Sequence, residues 1–219
     1  MLIKGINNAV LKYTTLLRIM KQTINPFDLL IDTYLEFKTG LDPSFLSPSL
    51  SEGLQQTILQ LQKDELMTAA GIGNDDRKDP DQKIRSDKIY WLDKSHHNIY
   101  EQEFLQQMEE FIEYLNRTCY TGINAYEFHY AVYEEGSYYK RHKDQFKNDS
   151  SRKYSLINYL NNDWLEEDGG HLLVYQNNEI QKILPQSQTA VFFKSDELEH
   201  EVTKANRSRM SITGWLKQV

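Results

Sequence analysis

The spacing of apolar residues changes character part-way along this chain. Ile6, Val10, Tyr13, Leu17 and Met20 recur at 4-3-4-3 intervals, one stripe of a helix. Asn25-Pro26 reads as a helix start, an N-cap with proline in the first turn, ahead of a stripe at Phe27, Leu30, Ile31 and Tyr34. Gly40 stands where that helix would take its C-terminal cap. Ser49 and Glu52 have capping-box spacing before Leu50, Leu54, Ile58 and Leu61. A further amphipathic helix carries Phe104, Met108, Phe111, Ile112 and Leu115. After Cys119 the pattern turns to short β-rich runs at 125–134, 154–161, 171–175, 188–193, 200–203 and 209–217, separated by turn clusters such as Asp168-Gly169-Gly170. Helices first and strands after predict an α+β chain, its helices buttressing a sandwich, jelly roll or barrel.

Between the two regimes lies an apolar run, Leu66 to Ala70, and then a charged stretch over 71–87. Asp75, Asp76, Arg77, Lys78, Asp79, Asp81, Lys83, Arg85 and Asp87 make it too polar for a core, so it reads as a long exposed loop. Loops longer than about 12 residues are commonly lids or binding loops. Lys88 to Leu92 reads as a strand returning from it. The organisation expected is a helical segment over 1–64 packing on a β-rich domain over 65–219.

Composition narrows the function classes. The 14 Tyr, 9 Phe and 3 Trp supply a real core, and a net charge of -7 argues against a phosphate-binding surface. A single cysteine, Cys119, excludes an intrachain disulfide and a cysteine-based zinc site, and suits the reducing cytoplasm. No apolar run reaches the length of a membrane span. Met1 to Asn25 has no acidic residue and carries Lys4, Lys12, Arg18 and Lys21, as a docking helix or a targeting element would.

Three residues could hold a metal. His142 and Asp144 form a His-x-Asp pair, and in an extended segment such residues share a face; His200 follows 58 residues later. Two imidazoles and one carboxylate make the facial triad that holds Fe(II) with open positions. On the last strand Arg209, Ser211, Thr213 and Trp215 alternate with Met210, Ile212 and Leu216. An inward-facing arginine needs an anion, either a core carboxylate or a small carboxylate ligand held bidentately. His129 and His171 lack a carboxylate two residues on and read as structural, and His96-His97 reads as a solvated turn.

The order of these pieces resembles the Fe(II)/2-oxoglutarate-dependent dioxygenases, in particular the prolyl hydroxylases of the animal oxygen-sensing branch and their bacterial relatives. The resemblance spans about residues 66–217 and rests on Ile84-Arg85-Ser86-Asp87-Lys88-Ile89 with Trp91, and on Arg141-His142-Lys143-Asp144. It continues through Tyr159 to Trp164, Gly169-Gly170-His171-Leu172, Phe192 to Asp196, His200-Glu201-Val202 and Arg209 to Trp215. It implies a double-stranded β-helix, a jelly-roll or cupin-like core. It places Fe(II) on His142, Asp144 and His200. The 2-oxoglutarate carboxylate falls on Arg209 and Tyr159, with Tyr133 and Thr213 lining the same pocket. Arg85, Trp91 and Arg152 fall near a peptide-substrate entrance, and 71–87 matches a mobile substrate-covering loop. Arginine at 209, where the collagen-type branch usually has lysine, favours the oxygen-sensor-like branch; Arg85-Ser86-Asp87 departs from that family's Arg-Gly-Asp.

The activity implied is hydroxylation of a prolyl residue in a protein partner, a translation elongation factor being one candidate. O2 is consumed, succinate and CO2 are co-products, and ascorbate is the candidate reductant. Asp144 favours hydroxylation over halogenation, because halogenating members lack that carboxylate. Rival readings are an oxygenase acting on another residue type or a free small molecule, and a non-catalytic metal-binding β-helix that serves as an interaction module. Nucleic acid and membrane are not expected partners.

Overall fold

The computed structural model describes residues 25–70, 86–145, 150–176 and 179–219. The basic segment before Asn25, with its docking and targeting readings, and residues 71–85, Arg85 included, lie outside the described residues.

Three helices, α1 (Asp28–Phe37), α2 (Pro48–Lys63) and α3 (Ile99–Cys119), accompany eleven strands among the described residues. The strands are β1 (Gly40–Asp42), β2 (Thr68–Ala69), β3 (Lys88–Trp91), β4 (Ala125–Tyr133), β5 (Tyr139–His142) and β6 (Arg152–Tyr159), then β7 (Leu172–Gln176), β8 (Glu179–Ile183), β9 (Ala190–Lys194), β10 (Glu199–Val202) and β11 (Arg209–Lys217). They form a seven-stranded sheet, β1-β9-β6-β11-β4-β3-β2, facing a four-stranded sheet, β5-β10-β7-β8. Every ladder within them is antiparallel. This is the double-stranded β-helix.

Alternation along each strand sorts side chains into two cores. On the outer face of the large sheet, Phe128, Tyr130, Val132, Leu156, Phe192, Ile212 and Leu216 pack with the helical residues Leu30, Leu50, Leu54, Phe104, Met108 and Phe111. The inner face turns Ala131, Tyr133, Ile157, Tyr159, Val191 and Phe193 toward Leu172, Val174 and Val202 of the small sheet. The site lies between the sheets.

Local chemistry differs from the sequence expectation at several ends. α2 begins two residues before the expected box: Ser47 is the N-cap, its hydroxyl accepting from Leu50 N at 3.1 Å, and Pro48 takes the first turn. Serine followed by proline satisfies an orphan donor and omits another, so it outcompetes Ser49. α1 ends on Lys38 in the left-handed conformation (φ 59°), not on Gly40. Gly40 instead opens β1, which pairs with β9, and a Cβ there would lie 2.6 Å from the Leu30 carbonyl oxygen. The segment read as helical therefore also supplies an edge strand. The short strands β2, β5 and β8 carry no clear alternation and were not expected as strands.

Candidate active site

His142 ends β5 and His200 lies on β10, and the antiparallel register sets the two directly opposite. Asp144 arrives differently from the extended-strand expectation, because β5 stops at His142 and Asp144 reaches in from the bend beyond it. Its Oδ1 stands 3.3 Å from His142 Nε2 and 3.6 Å from His200 Nε2. All three candidate ligand atoms lie within 4.8 Å of one another. Donors about 2.1 Å from one ion and at right angles would be about 3 Å apart, so the set is close to ligand spacing.

The other ring nitrogens and the second carboxylate oxygen are occupied. His142 Nδ1 meets the Lys140 carbonyl at 2.7 Å and His200 Nδ1 the Leu198 carbonyl at 3.4 Å, which turns both Nε2 atoms inward. Ser155 donates to Asp144 Oδ2 at 2.6 Å, leaving Oδ1 to face the imidazoles. His142 Nε2 is buried without a hydrogen-bond partner. Burial pushes His200 down to about 4. Burial alone would raise the Asp144 carboxyl, but the two histidines and the Ser155 hydroxyl hold it well below the usual carboxylate range. A neutral His200 imidazole beside an ionised carboxylate is the protonation state a divalent metal requires. These donors fit Fe(II).

Nearby on β11, Arg209 is 1 % exposed. Its Nε donates to the Gly170 carbonyl at 2.8 Å, and its guanidinium carbon lies 5.0 Å from the ring centres of both Tyr133 and Tyr159. No carboxylate pairs with it among the described residues, so the core salt bridge that the sequence left open is not what holds it. The Tyr159 hydroxyl is buried with no hydrogen-bond partner; burial raises its pKa while Arg209 pulls it down. A buried guanidinium with no carboxylate partner among the described residues is costly unless an anion joins it. The Gly169-Gly170 turn permits this closeness. Gly170 has φ +61°, and a Cβ there would stand 3.0 Å from Arg209 Cδ and 3.2 Å from the Trp164 ring.

The triad and Arg209 open on one cavity of about 430 Å³, whose lining includes Tyr133, Thr213 and Ile157. Trp91, Arg152, His129 and Trp215 line it too. Trp91 is 46 % exposed and marks the mouth. His129 sits between the tryptophans with its ring tilted against both, 4.9 Å from Trp91 and 5.4 Å from Trp215. Arg152 lies 3.4 Å over the Trp215 ring and forks onto Glu127 Oε1 at 3.0 and 2.8 Å. Its Nη1 also donates to the Asp144 carbonyl at 3.4 Å.

The structure thus gathers His142, Asp144, His200, Arg209, Tyr133, Thr213, Trp91 and Arg152 around one space, with Tyr159 beneath Arg209. The sequence reads His129 as structural, yet it lines the cavity, and it gives no role to Ser155, which holds the carboxylate. Both were signalled by alternation: His129 shares an inward face with Ala131 and Tyr133, Ser155 with Ile157 and Tyr159. His171 pairs with Glu166 at 3.3 Å away from the cavity. His96 is not a solvated turn residue; it meets the buried Glu101 at 2.7 Å.

Comparison with known proteins agrees with this geometry. Residues 128–217 match the family model of the 2OG-Fe(II) oxygenase superfamily. A prolyl-4-hydroxylase from Pseudomonas putida is similar at 27% identity and a TM-score of 0.78, over 87% of this chain and 97% of that one. A prolyl hydroxylase from Trichoplax adhaerens, solved with a hypoxia inducible factor peptide fragment, is similar at 25% identity and a TM-score of 0.78, over 87% of this chain and 88% of that one. A viral collagen prolyl hydroxylase from Paramecium bursaria Chlorella virus-1 shares the fold at 21% identity and a TM-score of 0.56, over 83% of this chain and 97% of that one.

Proposed function

We propose that this chain, which belongs to the 2OG-Fe(II) oxygenase superfamily, hydroxylates a prolyl residue of a protein substrate at the cavity between its two sheets. The observation that carries the reading is Arg209, a buried guanidinium without a carboxylate partner among the described residues, in the same cavity as the His142–Asp144–His200 cluster. One space offers a divalent-metal position and a carboxylate anchor. A dicarboxylate cosubstrate of 2-oxoglutarate type has one end for each.

The residues take the following parts. His142 and His200 offer Nε2, and Asp144 offers Oδ1, to Fe(II). Arg209 and the Tyr159 hydroxyl bind the far carboxylate of 2-oxoglutarate, a charge-assisted fork in a dry setting. Tyr133 and Thr213 border that ligand and exclude water. Trp91 and Arg152 position the substrate at the cavity mouth; Arg85, to which the resemblance gives the same part, lies outside the described residues. When bound, Fe(II) with 2-oxoglutarate and O2 supplies the oxidising power: one oxygen atom enters the prolyl C–H bond, the other ends in succinate, and CO2 leaves. By the same analogy ascorbate serves as reductant.

The relative solved with a peptide fragment supports a protein substrate here, and a translation elongation factor is the first partner to test in this reading. The lone, exposed Cys119 suits a cytoplasmic setting. No helix among the described residues is long and apolar enough to cross a membrane. The test is mass spectrometry of candidate proteins incubated with enzyme, Fe(II) and 2-oxoglutarate. A shift of about 16 Da on a prolyl residue, matched by succinate, is expected, since one oxygen atom is transferred per turnover. Succinate formation driven only by free small molecules would replace the protein-substrate reading.

A further inference from the structure

Behind the metal-binding carboxylate runs a buried chain of two hydroxyls. Ser155 on β6 and Ser195, just past β9, are both fully buried, and their Oγ atoms lie 2.9 Å apart. Ser155 has one proton and gives it to Asp144 Oδ2 at 2.6 Å. An ionised carboxylate only accepts, so the order of the chain is forced: Ser195 donates to Ser155, and Ser155 donates to Asp144. Each donation polarises the next. Ser195 is itself pinned through its backbone. Its N–H donates to the Lys153 carbonyl at 3.1 Å, and its carbonyl accepts from Gln145 N, the residue after Asp144, at 3.1 Å.

Resting on the reading of the triad as metal ligands, we infer that Ser155 and Ser195 are positioning residues that make Asp144 a one-point ligand. With Oδ2 tied back to the sheet, only Oδ1 faces His142 and His200 Nε2. Asp144 has special need of this restraint. It lies in a bend past the end of β5, so no ladder bond fixes its backbone as the ladder fixes His142 opposite His200. A freed carboxylate could swing to present both oxygens and take up a position that the cosubstrate and O2 need. Tied back in this way, Asp144 would offer the ion one oxygen and no more.

The test uses purified whole protein and Co(II), whose visible d–d absorption reports coordination without turnover. Ser155→Ala is expected to weaken Co(II) binding by about 10-fold or more, the range for loss of a group that orients a metal ligand. At saturation it should also alter the d–d spectrum, which a merely structural role would leave unmoved. Ser195→Ala should shift affinity in the same direction by a smaller factor, and Ser155→Thr, which keeps the hydroxyl, should restore both readouts. If folded Ser155→Ala binds Co(II) within twofold of the unaltered protein and with its spectrum, the inference is overturned. Asp144→Ala separates the two levels: undiminished Co(II) binding there would sink the ligand assignment itself, whereas loss there with no effect at Ser155 sinks only the role of the serines. Should Ser155→Ala fail to fold, Ser195→Ala and Ser155→Thr decide between the same outcomes.

Discussion

The helix-covered and site-facing sides of the seven-stranded sheet are built from the same strands and are both buried, yet they are filled on different terms. On β11, Met210, Ile212 and Leu216 join the helical core, while Arg209, Ser211, Thr213 and Trp215 turn the other way. β4 divides likewise, with Phe128, Tyr130 and Val132 outward and His129, Ala131 and Tyr133 inward. The outer side is closed by aromatic packing, such as Phe111 against Phe192 at 5.5 Å. Its buried polar atoms without a hydrogen-bond partner, the Tyr130 hydroxyl and the Asn158 side-chain amide, lie off the cavity, whereas those of His142 and Trp215 border it. Burial alone does not distinguish core from site. What distinguishes them is whether buried polar groups have a space into which a ligand can bring the missing partner.

Substitutions on the two faces should separate stability from chemistry. The largest effect is expected at Asp144→Ala, which should reduce succinate formation to background in a chain that still folds. Turnover that persists would detach the site face from the reaction. On the other side Phe192→Ala should cost about 3–5 kcal/mol of stability in urea unfolding, the range for emptying an aromatic core position. A loss below about 1 kcal/mol would mean that the helix-covered face is not the stabilising one. Arg209→Leu should raise the 2-oxoglutarate requirement steeply, by the equivalent of about 2–5 kcal/mol in steady-state kinetics, because the far carboxylate loses its fork. The same variant should unfold no more easily, since it removes an unpaired buried charge.

Acid titration sharpens the comparison further. His200 is held near 4 in the folded chain against an ordinary value of 6.5, so the unfolded state takes up its proton first. Stability of the metal-free protein should therefore fall as pH drops from 6.5 toward 4, by at most about 1.4 kcal/mol per pH unit for this one proton. In His200→Asn that contribution should vanish, which urea unfolding at several pH values would reveal. The depressed Asp144 carboxyl acts lower, its stabilisation being lost only as pH falls below the ordinary carboxylate value. The smallest effect is expected at Ser47→Ala, about 1 kcal/mol for a lost helix cap, with no change in turnover.

Much of this division was legible before any coordinates, for a physical reason. Alternation on β11 assigned Arg209 and Ile212 to opposite faces because a nine-residue strand carries enough repeats to fix its phase. Likewise Phe104, Met108, Phe111 and Leu115 marked the buried face of α3. β2, with two residues, and β5, with four, have too few repeats to register, so the strand that delivers His142 went unseen although His142 itself did not. Asp144 was found through its spacing from His142, yet its route into the site, from a bend past the strand end, depends on contacts with Ser155 and Arg152 that no local pattern encodes. The C-terminal cap of α1 was misplaced for a similar reason: Gly40 is small because Leu30 approaches it, not because it turns the chain.

The place of β11 bears on how the molecule comes into being. It follows every other strand in chain order, yet it lies in the middle of the large sheet, hydrogen-bonded to β4 on one side and β6 on the other. During synthesis from the N-terminus, β4 and β6 must wait with open edges until β11 emerges to join them. Such late, long-range pairing is slow and leaves strand edges exposed meanwhile. Because β11 also carries Arg209, a nascent chain can acquire its anchor for the cosubstrate only in the step that closes its sheet. Ligand capture is thereby tied to completed folding, and an unfinished chain cannot take the cosubstrate at that anchor.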